Sequence, residues 1–173
     1  MYRIAVTGHT RGFGKYMFEH LSEEGNLTSG FSRSTGYDIT KRDDRNSIIR
    51  QVKDCDIFIN CAQEGFNQTE LLYDLFEIWG DQKKLIINIG SNARDFTNKD
   101  QPYRYGVRKL ALNHASKQLG RASICKVVTV DYGFLVRDEG TTIGYDDAYF
   151  YIDIALQSYK KNHRLLEILV AHE

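Results

Sequence analysis

Tyr105 and Lys109 stand four residues apart in a segment with helical apolar spacing, so their side chains project from one face of a helix. Tyrosine has a reference pKa of about 10, and an ammonium group beside the phenol favours the phenolate, moving it toward the range useful for general acid/base work. Ser91 closes the run Leu85-Ile-Ile-Asn-Ile-Gly-Ser91. At the carboxyl end of a strand its hydroxyl is placed to donate a hydrogen bond to an oxygen on which charge develops. A second constellation lies near the N-terminus, where Thr7-Gly8-His9-Thr10-Arg11-Gly12-Phe13-Gly14 joins a strand to a helix. Residues without Cβ let a pyrophosphate approach the backbone amides there, and the helix dipole favours the anion. Each pattern also has a plain reading. The chain has 11 tyrosines, so a Tyr-x-x-x-Lys pair arises by chance, and Ser91 before Asn92 suits a loop start and helix cap. Glycine-rich turns also occur simply as turns. The joint occurrence of these groups, in one order on the expected elements, is what points to chemistry.

Those elements follow from the hydrophobic pattern. Four apolar runs, Arg3–Thr7, Asp56–Asn60, Leu85–Ile89 and Lys126–Val130, are rich in β-branched residues and of strand length, and read as buried parallel strands. Helical spacing lies between them: Tyr16, Met17 and Leu21, then Leu71, Leu72, Leu75, Phe76 and Trp79. Over 103–119, Val107, Leu110, Ala111, Ala115 and Leu119 form one apolar stripe before Gly120, which the pattern reads as a helix stop. A strand at Leu27–Phe31 runs almost at once into Ser32–Asp38, which leaves little room for a crossover helix. The segment Tyr37–Thr40 is therefore a vestigial edge strand or an extended loop, followed by a helix at about 43–53. A helix over 147–160 and a strand over 165–170 complete the sheet. The expected fold class is α/β: a Rossmann-like, doubly wound, mostly parallel sheet of six to seven strands in three α/β/α layers, forming a single domain over 1–173.

Composition narrows the function. With 173 residues, 42% hydrophobic and 27% charged, the chain matches one globular domain. At this length folding buries roughly 70% of the unfolded surface, enough for a core without staples. Lys plus Arg and Asp plus Glu are both 23, so no net positive charge exists to hold a phosphodiester backbone, and nucleic acid is disfavoured as a partner. Cys55, Cys61 and Cys125 are odd in number and read as free thiols in a reducing compartment. The five histidines have no ligand spacing, so no metal site is expected. Without a signal-peptide pattern or a run of about 18 apolar residues, the protein is expected to be soluble and cytoplasmic, with no membrane partner.

The sequence resembles the short-chain dehydrogenase/reductase family. Its glycine motif, Thr-Gly-x-x-x-Gly-x-Gly, is matched at Thr7, Gly8, Gly12 and Gly14; Ile87-Asn-Ile-Gly-Ser91 is similar to the strand ending in the catalytic serine; and Tyr105-Gly-Val-Arg-Lys109 matches the Tyr-x-x-x-Lys signature. Asn60-Cys61-Ala62 is similar to the family's Asn-Asn-Ala-Gly segment, with Cys61 and Gln63 replacing the second Asn and the Gly. Asp131-Tyr-Gly-Phe-Leu-Val136 resembles the segment after strand six, placing Gly133 near the cofactor, with Tyr132 where the family has proline. The resemblance implies a nicotinamide cofactor that carries the hydride, Tyr105 as acid/base, Ser91 as substrate anchor and Lys109 as an electrostatic helper that also binds the nicotinamide ribose. It further implies a catalytic asparagine after strand four, for which Asn67 is the nearest candidate. An equal reading makes Asn67 a helix N-cap, with Glu70 completing a capping box.

Cofactor choice turns on the end of the second strand, where an acidic residue suits a ribose 2′-hydroxyl and a basic one a 2′-phosphate. The chain offers Ser32 and Arg33, with Arg11 as a second cation, and Thr10 and Phe13 between the glycines. The expected cofactor is NADP(H) in preference to NAD(H), against a reading of two solvated arginines. Asp38 is similar to the family's aspartate near the adenine, or is a turn aspartate.

The expected reaction interconverts a carbonyl and an alcohol on a small-molecule or carrier-bound substrate. Family members are usually longer, and the stretch 135–146 is brief, so a non-catalytic NADP(H)-binding sensor or partner-binding protein is the rival reading. An epimerase or dehydratase is a third, weakened by the lack of a longer carboxyl-terminal substrate domain. Leu112, Ala115 and Leu119 either form a homodimer or homotetramer contact, as the resemblance implies, or face the sheet.

Overall fold

The computed structural model describes residues 1–97, 102–133, 135 and 143–170. Six strands, β1 (Arg3–Thr7), β2 (Leu27–Phe31), β3 (Ile57–Asn60), β4 (Leu85–Ser91), β5 (Lys126–Tyr132) and β6 (Glu167–Val170), form one sheet of order β2-β1-β3-β4-β5-β6. Every pairing is parallel. Five α-helices connect them among the described residues: α1 (Gly12–Glu23), α2 (Arg42–Gln51), α3 (Asn67–Trp79), α4 (Arg104–Ala122) and α5 (Tyr145–Lys160).

Strand periodicity sorts the core into two layers. On one face Ile4, Val6, Ile57, Ile59, Ile87 and Val128 pack on Phe13, Met17 and Leu21 of α1 and on Ile152 and Leu156 of α5. On the other, Ala5, Phe58, Ile86 and Val127 pack on Ile48 of α2, on Leu71, Leu72 and Trp79 of α3 and on Leu112 of α4. Burying each large aliphatic or aromatic side chain contributes roughly 1.5–3 kcal/mol, which is why both sheet faces must be covered. The Rossmann-like α/β/α sandwich read from the sequence is the observed fold.

Of the two readings left open for 37–40 the loop is the observed one, and two readings of α4 need correction. No strand forms over 37–40: Ser32 caps a 3-10 turn at Arg33–Thr35, and Asp38 closes a tight turn by accepting from Thr40 N and Oγ1 at 3.0 and 2.8 Å. The sheet therefore has six strands and is wholly parallel. Gly120 does not stop its helix, which runs on to Ala122; a Cβ there would lie 2.8 Å from the Val127 carbonyl, so the glycine serves close helix–sheet packing. The stripe read on this helix is also split. Val107 and Leu110 are exposed, whereas Lys109, Leu112, Asn113, Ala115 and Ser116 are buried. Leu112 and Ala115 thus face the sheet rather than a second subunit. Residues 136–142 of the brief substrate-loop segment lie outside the described residues.

The sheet order reverses between β1 and β3, because the chain steps outward from β1 to β2 and then returns to build β3 through β6 on the other side. In open α/β sheets such a switch point leaves a crevice at the carboxyl ends of the strands.

Candidate active site

A crevice of about 1520 Å³ opens at this edge. Its floor on the β1 side is the glycine turn. Gly8 adopts φ +75°, which strains any residue with a Cβ, and its amide donates to the Phe31 carbonyl at 2.7 Å, tying the turn to β2. A Cβ on Gly14 would lie 2.3 Å from the Gly8 carbonyl oxygen, so α1 can start against the turn only with glycine there. Gly8, Thr10, Arg11, Gly12, Phe13 and Gly14 all border the crevice. These residues fit a pyrophosphate, since the wall is backbone rather than side chain and meets the positive end of a 12-residue helix.

The end of β2 supplies a cluster of hydroxyls. Ser32 Oγ lies 2.9 Å from Ser34 Oγ, which donates to Thr10 Oγ1 at 3.3 Å. The exposed Arg11 and Arg33 flank these groups on the crevice wall. Asp38 borders the same end, its carboxyl held below the usual range first by the Thr40 hydrogen bonds and then by Arg33 and Lys41. Cys61 and Ala62 at the end of β3 also border the crevice, as does Gly133 after β5, which lies beside Asn92 at the Ser91 end.

The opposite end holds the three side chains read as catalytic candidates. Ser91, Tyr105 and Lys109 all border the crevice, brought there by β4 and by α4, which starts beyond it. Burial raises the Tyr105 phenol above its ordinary pKa, and a hydrogen bond with the Ser91 side chain works in the opposite direction. Lys109 does not contribute the lowering expected of it. Its Nζ sits 5.6 Å from the Tyr105 ring centroid and donates instead to Gln68 Oε1 and the Ile89 carbonyl. Burial brings Lys109 down to about 8, only partly offset by Cys61 and Asp131. Ser91 caps the 3-10 turn at Asn92–Asp95, accepting from Ala93 N at 3.2 Å, and also borders the crevice.

A buried ionic network pins the Ser91 loop. The fully buried Asp131 accepts from Ser91 N at 2.9 Å, from Arg94 at 2.6 Å and from Asn113 at 3.1 Å. Arg94 and Lys117 also pair with Glu167, the latter at 2.8 Å. Burial pushes Asp131 up to about 6 despite Arg94. At Glu167 burial also acts upward, but bonds from Lys117, Arg94 and Asn113 together outweigh it and bring the carboxyl down to about 2.

Three sequence candidates sit away from the crevice. Thr7 is buried, and its Oγ1 accepts from the amides of Cys61 and Ala62 at 2.9 and 3.0 Å, clamping β1 to β3. Asn60 is fully buried and donates to the Gln68 carbonyl and Asn88 Oδ1. Asn67 is the first residue of α3 rather than its cap, which is Phe66. Its Oδ1 accepts from Arg45 and its Nδ2 donates to the Glu64 carbonyl, so it makes neither the capping box nor a contact with Lys109. The neighbouring Gln68 makes that contact, which the sequence does not signal. Tyr132, where the family has proline, is 1% exposed, donates to the Ala148 carbonyl at 2.7 Å and packs edge-on against Phe13. Among the described residues no group of three His, Cys, Asp or Glu side chains could hold a metal, and no helix is long and apolar enough to cross a membrane.

No protein-family model matches this sequence, and no curated protein does. Solved structures do match. A short-chain dehydrogenase/reductase from Vibrio parahaemolyticus superimposes with a TM-score of 0.81 at 17% identity, covering 98% of this chain and 96% of that one. A short-chain dehydrogenase from Streptomyces avermitilis gives 0.80 at 16%, covering 98% and 88%. The 3-alpha-hydroxysteroid dehydrogenase from Pseudomonas sp. B-0831, complexed with NADH, gives 0.75 at 14%, covering 96% and 94%. The chain thus has the Rossmann-like fold of these dehydrogenases, along nearly its whole length.

Proposed function

We propose that this chain is an NADP(H)-dependent oxidoreductase that interconverts a carbonyl and an alcohol. The observation that carries the reading is the meeting of Ser91, Tyr105 and Lys109 at the carboxyl end of β4, on a crevice whose other end is a glycine turn. A bound nicotinamide would supply the hydride. Ser91 Oγ would donate to the substrate oxygen, Tyr105 would give or take its proton, and the buried Lys109 ammonium would favour the phenolate. The raised pKa of Tyr105 suits a proton donor in carbonyl reduction. The fold neighbour crystallised with NADH supports a nicotinamide cofactor. Preference for the 2′-phosphate rests on Arg11, Arg33 and the hydroxyl cluster between them. Phe96 and Tyr103 border the Ser91 end and are exposed, in keeping with a bulky or carrier-bound substrate or with a site covered by a second copy of the chain.

The test is NADPH consumption with a panel of carbonyl compounds. Tyr105→Phe should lower turnover by roughly 10²–10⁴-fold while NADPH binding stays near wild type. Turnover retained in that variant rejects the assignment of Tyr105. NADPH binding without turnover on any carbonyl by the wild-type chain favours the sensor reading, and sedimentation decides the oligomeric state.

A further inference from the structure

Beneath the crevice Lys109 is 3% exposed and donates to two oxygens, Gln68 Oε1 at 2.9 Å and the Ile89 carbonyl at 2.8 Å. Gln68 is equally buried. Its amide nitrogen donates to the Asn60 carbonyl at 2.7 Å and to the Ile89 carbonyl at 3.1 Å. These two acceptors decide which end of the amide faces the lysine, because a flipped amide would set NH2 against the ammonium and oxygen against two carbonyls. The backbone of Gln68 is held as well, its carbonyl accepting from Asn60 Nδ2 at 2.9 Å, while Asn60 Nδ2 also donates to Asn88 Oδ1 at 3.0 Å. A buried glutamine is costly unless its polar atoms are met. Here both ends of the amide are met, by strand-end carbonyls on one side and by Lys109 on the other.

We propose that Gln68 is the positioning residue for Lys109, its amide oxygen fixing the ammonium at the crevice floor with one N–H left for a bound ligand. An ammonium has three donors, and among the described residues Gln68 and Ile89 take two. An amide oxygen accepts a hydrogen bond without passing a proton onward, so Lys109 acts as a fixed cation under the reacting atoms. The titratable groups around it are Cys61 at the end of β3, Asp131 on β5 and Tyr105 on its own helix. The placement of the lysine is independent of the reaction; its consequence for turnover rests on the oxidoreductase reading.

The test follows the cofactor-free full chain by NMR, reading lysine Cε and the Gln68 carboxamide across pH. In the wild type the Gln68 resonance should titrate with the midpoint of Lys109. In Gln68→Met, which keeps the length and loses the acceptor, the Lys109 midpoint should shift down, because the charged form loses a hydrogen bond while burial stays. Lys84, which precedes β4 at the far edge of the sheet, should not move, and this separates a local effect from a general loss of packing. With a carbonyl substrate, the same variant should lose kcat. A Gln68 resonance that does not follow Lys109 overturns the proposal, as does an unchanged Lys109 midpoint in folded Gln68→Met; if that variant does not fold, the wild-type linkage decides. A linked titration in a chain that turns over no carbonyl sinks the oxidoreductase reading and leaves the positioning role standing.

Discussion

The two ends of the crevice are held by different physics. At the glycine turn, shape comes from atoms that are missing: Gly14 abuts the Gly8 carbonyl, and the wall is backbone amide and exposed hydroxyl. At the Ser91 end, shape comes from buried charge, with Asp131, Arg94, Glu167 and Lys117 tying β4, β5, β6 and α4 together. The first end should therefore be sensitive to added volume and insensitive to pH. The second should behave the other way round.

Arg94→Met is the sharpest way to break that contrast, since it leaves the Asp131 carboxylate buried without its cation. It should cost about 3–5 kcal/mol in denaturant unfolding, the range for removing one partner of a buried pair. The sign follows from Asp131, whose folded pKa is already raised to about 6: its charged form penalises the folded state as pH rises, so the loss should be greater above neutrality than in mild acid. A pH-independent loss would contradict the account. Gly14→Ala comes next, at roughly 1–3 kcal/mol from backbone overlap, with NADPH affinity falling alongside and no dependence on pH.

Acid titration probes the charged end more gently. Glu167 is depressed from 4.5 to about 2, so its contribution is present above its unfolded value and is lost as pH falls through about 2. Glu167→Gln should lower neutral-pH stability by about 2 kcal/mol and flatten the acid limb of the stability curve; an unaltered acid limb would remove Glu167 from the network. The smallest effect is expected from Arg33→Ala. It should leave stability unchanged and weaken NADPH roughly tenfold, about 1.4 kcal/mol, with NADH little affected; equal weakening of both would remove the 2′-phosphate argument.

The glycine turn was legible in the sequence because its requirements are local: a strand, three glycines and a helix in one short segment. The Ser91 end was legible only in its named residues. Lys109, Asn113 and Ser116 are buried polar groups on the sheet-facing side of α4, while Val107 and Leu110 face outward, so hydrophobic period alone rotates the helix wrongly. Hydrogen bonds from buried polar groups override amphipathicity there. The sequence drew attention to Asn67 and not to Gln68: both are amides at the start of α3, and only the helix phase decides which one points inward to Lys109. Asp131 and Arg94 meet across 37 residues of chain, and no spacing rule connects them.

The Thr7 clamp also sets the polarity of the crevice. By accepting from the amides of both Cys61 and Ala62, one hydroxyl consumes the two N–H groups at the tip of β3. That shoulder of the opening thus has no spare backbone donors at these positions, and a negatively charged guest finds its welcome on the opposite shoulder, where α1 begins. A dinucleotide bound as proposed would be oriented before any of its bases or sugars was recognised.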